Sequence, residues 1–163
     1  MKNAGADFVA ITANTPHLLF NEIKERISFP LISIVEATAR KAKRLNLKRC
    51  GLFGTGFTMK ASFYKDVFSS YDIEVVSPEM DEIELIHQKL FSEIELGIYK
   101  EETRELFLGI IVNLIKREKI DSLILGCTEF PIMFKEKEYY NIPFLNTTKI
   151  HVDEIVRMCL NDQ

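Results

Sequence analysis

The chain has 163 residues, 47% of them hydrophobic and 28% charged, the size and balance of one compact domain or of two small lobes sharing a core. Its 21 basic and 24 acidic side chains leave a formal net charge of −3, without the basic excess of a phosphate-binding surface, so nucleic acid is excluded as the main partner. No apolar run approaches the ~20 residues that span a bilayer, and Met1 to Asp7 do not read as a signal peptide.

The predicted elements alternate in type along the chain. Phe8-Val9-Ala10-Ile11 is a short apolar strand ending at the polar turn Thr12 to Pro16, and residues 18–27 follow with helical spacing. Residues 30–34 read as a second strand, and 35–45 as a basic helix. Arg49 to Phe53 form a third strand, closed by the turn Gly54-Thr55-Gly56 and followed by one helix from 58 to about 68. Residues 73–76 form another strand, halted at Ser77-Pro78. Two long helices, 81–96 and 102–118, are separated near Gly97. Ser122-Leu123-Ile124-Leu125 is the clearest buried strand, and it runs into Gly126-Cys127-Thr128-Glu129. A last strand, 142–145, and a helix from 148 to 160 complete the chain. Strands separated by helices mean βαβ units, a mainly parallel sheet and an α/β fold class.

Ligands of such sheets collect beyond the carboxyl ends of the strands. Three turns lie there: residues 12–17, 54–58 and 126–129. None is a Walker loop or a GxGxxG fingerprint, which argues against a nucleotide cofactor and for a small carboxylate ligand. Cys127 is the strongest single candidate for chemistry, because a thiol placed at the first turn of a helix is expected to have a lowered pKa. Thr128 and Glu129 put a hydroxyl and a carboxylate beside it. His17, at a strand-to-helix turn, reads as a general acid/base or as a polariser of a bound carboxylate. His87 and His151 read as helix residues with packing or surface roles, and Cys50 and Cys159 as core residues. The three cysteines form no CxxC or clustered His/Cys pattern, which points to reduced thiols in a cytoplasmic protein and to no structural metal.

The motifs carry a resemblance over essentially the whole chain. Gly5-Ala6-Asp7-Phe8 leading into Asn14-Thr15-Pro16-His17 resembles the GADF…CNTxH segment of the aspartate/glutamate racemase family. Gly54-Thr55-Gly56-Phe57-Thr58 with Ser62-Phe63-Tyr64 is similar to its GTxxT…FY segment. Leu125-Gly126-Cys127-Thr128-Glu129-Phe130-Pro131 resembles its LGCTE-x-P signature, and Asn146-Thr147-Thr148-Lys149-Ile150-His151 its DTTxIH. The resemblance implies a cofactor-independent amino-acid racemase with two Rossmann-like or flavodoxin-like α/β lobes and an active site between them. Two cysteines then act on opposite faces of Cα, one removing a proton and one returning it. Preorganised donors meet the charge that develops on the substrate carboxylate. Cys127 matches the second catalytic thiol. Asn14, Thr15 and Thr128 occupy donor positions, with Thr55, Glu129 and His17 completing the candidate substrate-binding set. The implied partner is a small dicarboxylic amino acid, and the implied assembly a homodimer.

Two departures bear on activity. Ala13 stands where the family has its first catalytic cysteine, so one partner of a two-thiol mechanism is missing. The chain also starts inside what looks like the family's first lobe. On this reading residues 1–45 and 146–163 are the remnant of an incomplete first lobe, and 46–145 the second lobe. Asn146 replaces the Asp of the last motif. A single-thiol decarboxylase-like enzyme and a non-catalytic carboxylate-binding homologue are the alternatives.

Overall fold

The structure, a computed structural model, describes residues 5–161; residues 1–4, part of the segment read above as no signal peptide, and the last two residues lie outside it. Two parallel strands, β1 (Val9–Ala10) and β2 (Leu31–Ile32), form a small sheet of their own. A 3-10 turn (Thr15–Leu19) and α1 (Phe20–Arg26) connect them. The helix α2 (Ile34–Arg44) begins directly after Ser33, whose Oγ accepts the Glu36 N–H at 3.2 Å. That cap draws Ile34 into the helix and shortens the expected second strand.

The larger sheet contains β3 (Arg49–Gly54), β4 (Glu74–Val76), β5 (Ser122–Gly126), β6 (Glu138–Tyr139) and β7 (Ile142–Asn146). Its order is β4-β3-β5-β7-β6, with β6 alone antiparallel. Between β3 and β4 the chain makes two short helices, α3 (Gly56–Lys60) and α4 (Phe63–Ser69), rather than one continuous helix. Thr55 caps α3 early, Ala61 is extended (φ −80°, ψ 160°), and α4 opens with the Asp66 N–H on the Ser62 carbonyl at 2.8 Å, while the Ser62 hydroxyl donates to the Asp66 carboxylate at 2.7 Å. The helices α5 (Met80–Ser92) and α6 (Glu101–Glu118) lead to β5. The first of these stops earlier than its apolar periodicity predicts. A 3-10 turn (Ile94–Leu96) and Gly97 at φ 76° close it, with the Glu93 carboxylate turned inward onto Lys89, Lys100 and Thr103. The short helix α7 (Phe130–Met133) begins three residues after the helix start expected at Cys127, and β6 has no counterpart in the sequence reading, since two residues are too few to show a period. The final helix, α8 (Thr147–Asn161), packs on α2, β2, β5 and β7, so it joins the two sheets.

The core sits on β3 and β5. Every residue of β5 is buried, as befits a central parallel strand covered on both faces. Phe53, Phe107 and Phe130 meet with ring centroids 5.9–6.2 Å apart. Phe107 meets the other two rings edge-on, and such pairs add about 0.5–1.5 kcal/mol beyond their area. Gly51 lets α6 lie close on β3, since a Cβ there would stand 2.8 Å from both Leu114 Cδ2 and Ile120 Cδ1.

This strand order has a functional consequence. From β3 the chain moves to one side to make β4, then returns to the other side of β3 to make β5. The crevice beyond the carboxyl ends of β3 and β5 is therefore the topological switch point, where open α/β sheets bind ligands. Gly54 and Gly126 pair in register there. A Cβ at Gly126 would lie 2.9 Å from the Phe53 carbonyl oxygen, so glycine is what allows the two strand ends to close up. Among the described residues no helix is long and apolar enough to cross a membrane.

Candidate active site

Thr55 and Cys127 follow the paired glycines, so the sheet register brings their turns side by side. On the first of these, the hydroxyls of Thr55 and Thr58 meet that of Thr15, which comes from the 12–17 turn, in a triangle with edges of 3.0, 3.1 and 3.3 Å. Thr55 Oγ1 also accepts the Thr58 N–H at 3.2 Å, which fixes the turn. Thr58 is fully buried behind the other two, and hydroxyl protons rotate to suit a neighbour, so Thr15 and Thr55 can present donors to a carboxylate with Thr58 bonded behind them. Thr58 belongs to this group although the sequence reading did not name it as a site residue; its signal was the closing threonine of the GTxxT pattern.

Asn14 is buried and ties four elements together. Its Oδ1 accepts the Tyr64 hydroxyl at 2.6 Å, and its Nδ2 donates to Thr147 Oγ1 at 3.3 Å. Thr147 donates onward to the Leu125 carbonyl at 2.7 Å. The chain of bonds therefore runs from α4 through the 12–17 turn and the start of α8 to the end of β5. Ala13, next to Asn14, is exposed. Tyr64 and Thr147 were not singled out from sequence, because only the folded chain makes them neighbours.

Cys127 is 8% exposed, and its thiol donates to Glu129 Oε2 at 2.8 Å. The hydroxyl of Thr128 donates to the other carboxylate oxygen at 2.7 Å. The expected lowering of the thiol pKa is not what the geometry produces. Helix α7 begins only at Phe130, three residues too late to place Cys127 in its first turn. Burial instead pushes the thiol up to about 12, and the hydrogen bond to Glu129 and the negative charges of Glu129 and Glu95 act in the same direction. For Glu129, burial would raise the pKa, but the Cys127 and Thr128 donors outweigh it and hold the carboxyl below its usual range. Both shifts describe one state, a protonated thiol on an ionised carboxylate.

His17 stands apart from these groups. Its Nε2 accepts the Ile34 N–H at 3.2 Å, which fixes the tautomer, so Nδ1–H donates to the Ala13 carbonyl at 2.9 Å. Burial lowers its pKa to about 4 against the opposing bond to Ala13. Both nitrogens are thus held by backbone groups. His151 is also buried, and its Nε2–H donates to the Ile32 carbonyl at 3.3 Å. The two histidines pin either side of the β2–α2 junction. A cavity of about 660 Å3 along Val9, Ile11, Ile27 and Leu31 lies elsewhere, beside the small sheet.

Comparison with known proteins agrees with the motifs. The family model described as Asp/Glu/Hydantoin racemase matches residues 1–155. The chain is 31% identical over 134 residues to glutamate racemase 3 of Caldanaerobacter subterraneus subsp. tengcongensis, covering 82% of this chain and 46% of that protein. It is similar in structure to an aspartate racemase homologue from Pyrococcus horikoshii OT3, with TM-score 0.86 and 30% identity, covering 96% of this chain and 68% of the other. The Picrophilus torridus aspartate racemase shares the fold at TM-score 0.72 and 24% identity, over 96% of this chain and 64% of that one. The chain spans about half the length of the glutamate racemases it matches. By the matched family model and the shared two-lobe α/β fold, it belongs to the Asp/Glu/hydantoin racemase family.

Proposed function

We propose that this chain binds a small dicarboxylic amino acid of the aspartate or glutamate type and does cofactor-independent acid/base chemistry at its Cα with a single thiol. Residues 1–45 and 146–163 form the first lobe on this reading, and 46–145 the second. Thr15 and Thr55 receive one carboxylate with the buried Thr58 holding their hydroxyls from behind, Thr128 adds a donor beside the thiol, and Asn14 holds the turn between the lobes. His17 positions the backbone rather than touching substrate.

The observation that carries this reading is the Cys127 thiol, protonated and bonded to Glu129 at 2.8 Å. A thiol in that state is a proton donor. For it to remove the Cα proton, its own proton passes to Glu129 as sulfur takes the one from carbon, and the return step reverses both transfers. Racemisation needs a second acid/base on the opposite face, and Ala13 supplies none. The expected activity is Cα–H exchange on one face with retention of configuration, and little or no racemisation.

The test follows aspartate and glutamate enantiomers in deuterated water, reading Cα deuteration by NMR and configuration by chiral chromatography. Exchange without inversion, abolished in Cys127→Ser, supports the reading; racemisation that survives Cys127→Ser overturns it. Ala13→Cys supplies the missing face and is expected to raise racemisation by about 10²-fold or more, the usual worth of a positioned acid/base.

A second reading takes the same thiol and the small Ala13 as a decarboxylase-like site that protonates a planar intermediate from one face. Stereospecific product from a disubstituted malonate supports it. Binding of a dicarboxylate with neither exchange nor decarboxylation leaves the non-catalytic homologue. The reading also takes the chain to be a cytoplasmic homodimer. Its support for association is the exposed Val152, Val156 and Leu160 of α8.

A further inference from the structure

Helix α5 carries a histidine that the proposed chemistry does not use. His87 Nδ1 accepts the backbone N–H of Gly56 at 3.1 Å. A ring nitrogen that accepts is unprotonated, so the imidazole carries its proton on Nε2. The ring is held edge-on by Phe57 and Phe91, at centroid distances of 5.7 and 4.6 Å. The fit is close: a Cβ at Gly56 would lie 3.2 Å from His87 Cγ. Gly56 is flanked by Thr55 and, two residues on, Thr58, two corners of the hydroxyl triangle. The imidazole therefore grips the backbone of the turn that carries the hydroxyls, from outside the site.

We propose that His87 is a positioning residue for carboxylate binding: its bond to Gly56 N–H sets the placement of the Thr55 hydroxyl that meets a dicarboxylic substrate and of the buried Thr58 hydroxyl bonded behind it. This rests on the reading of Thr15 and Thr55 as the carboxylate ligands. Three features carry it, namely the acceptor geometry, the ring contacts that fix the imidazole, and the one-residue separation of Gly56 from Thr55. Removing the acceptor leaves the Gly56 amide facing an apolar side chain and frees the turn to shift, which displaces hydroxyls whose mutual distances are near 3 Å.

Titration calorimetry of the wild-type chain, His87→Leu and His87→Asn with L- and D-aspartate and glutamate tests it, together with long-range ¹H–¹⁵N correlation of the imidazole. Leucine keeps volume and loses the acceptor; asparagine places Oδ1 where Nδ1 stands. The expected result is an unprotonated Nδ1 in the wild type, about tenfold weaker binding in His87→Leu, and recovery of most of that loss in His87→Asn, the scale of one hydrogen bond. A purely structural role would lower the melting temperature of both variants without this rescue. Equal binding by the wild type and His87→Leu, or no better binding by His87→Asn than by His87→Leu, overturns the positioning role and leaves the carboxylate site standing. Absence of dicarboxylate binding by the wild type overturns the site and the role together. Should His87→Leu fail to fold, the Gly56 amide of the wild type is followed instead. A shift on saturation with aspartate supports the role, and an unmoved Gly56 amide overturns it.

Discussion

A thiol beside a carboxylate has two limiting states, one with the proton on sulfur and one with it on oxygen, and the surroundings of Cys127 select the first. Burial disfavours a thiolate, and Glu129 accepts from the thiol while adding negative charge next to it. The partner pKa moves the opposite way, as a stable donor–acceptor pair requires. Alkylation by iodoacetamide reads this directly, because the thiolate is the nucleophile. Cys159, expected from the sequence to be a core residue, is instead exposed on the solvent side of α8, so at pH 8 it is expected to react first, while Cys127 and the buried Cys50, each held near 12, stay largely unmodified. Glu129→Gln removes the charge and the anionic acceptor, so the thiol pKa falls and Cys127 labelling speeds up by several fold. Peptide mass spectrometry with site-resolved rates checks it. An unchanged Cys127 rate in Glu129→Gln would show that burial alone holds the proton.

Among the elements, the two buried histidines give the fold a pH-dependent joint. His17 accepts from Ile34 N–H at the start of α2, and His151 donates to Ile32 at the end of β2. Burial lowers both pKa values, that of His17 to about 4. A group whose folded pKa lies below its unfolded value stabilises the fold above the unfolded pKa, and that stability is lost as pH falls toward the folded one. The loss therefore runs from about pH 6.5 to about pH 4, and His17 alone contributes on the order of 3 kcal/mol. Glu93, held at about 2 mainly by Lys89 and Thr103, gives up its share only in more acidic solution. Urea unfolding at pH 7 and at pH 4.5 should show the drop, and His17→Gln should flatten it. An equal pH slope in that variant would assign the effect elsewhere. What was legible in the sequence follows the same division. The strands β3 and β5 and the helix α6 carried period, length and buried apolar runs, and the motif thiol at the end of β5 was plain. The break between α3 and α4 was not, since it turns on the Thr55 side-chain cap, the extended Ala61 and the Ser62–Asp66 side-chain bond, which compete with a continuous apolar stripe. The raised thiol pKa was hidden for a similar reason: adjacency in sequence suggested a helix start, and only the fold showed that α7 begins three residues later. Tyr64 and Thr147 lie in motif segments, but their bonds to Asn14, across 50 and 133 positions, and the bond of His87 to Gly56, across 31, are contacts that no local pattern records.

For the whole molecule, the two sheets are unequally supported. The five-stranded sheet is enclosed by helices and holds most of the core, whereas β1 and β2 form a sheet of only two strands. A pair of strands has little stability by itself. On α8, which packs against β2, Val152, Val156 and Leu160 are each about half exposed or more. Their spacing of four residues puts them on one face of the helix. Beside β1 and β2 lies the cavity of about 660 Å3 lined by Val9, Ile11, Ile23, Ile27 and Leu31. Apolar surface left open on α8 and beside the small sheet is what self-association would bury, and a closed twofold contact is the simplest way for one chain to bury it. Light scattering on the purified chain is expected to give a mass near twice 18.8 kDa. Association stabilises by mass action, so the melting temperature should rise with protein concentration. Val156→Glu places a charge in the middle of the α8 stripe, at a position already open to solvent, and should shift the mass toward monomer while leaving the circular dichroism spectrum unchanged. A folded wild-type chain that stays monomeric at every concentration, with a melting temperature independent of concentration, would mean that this surface is tolerated in water.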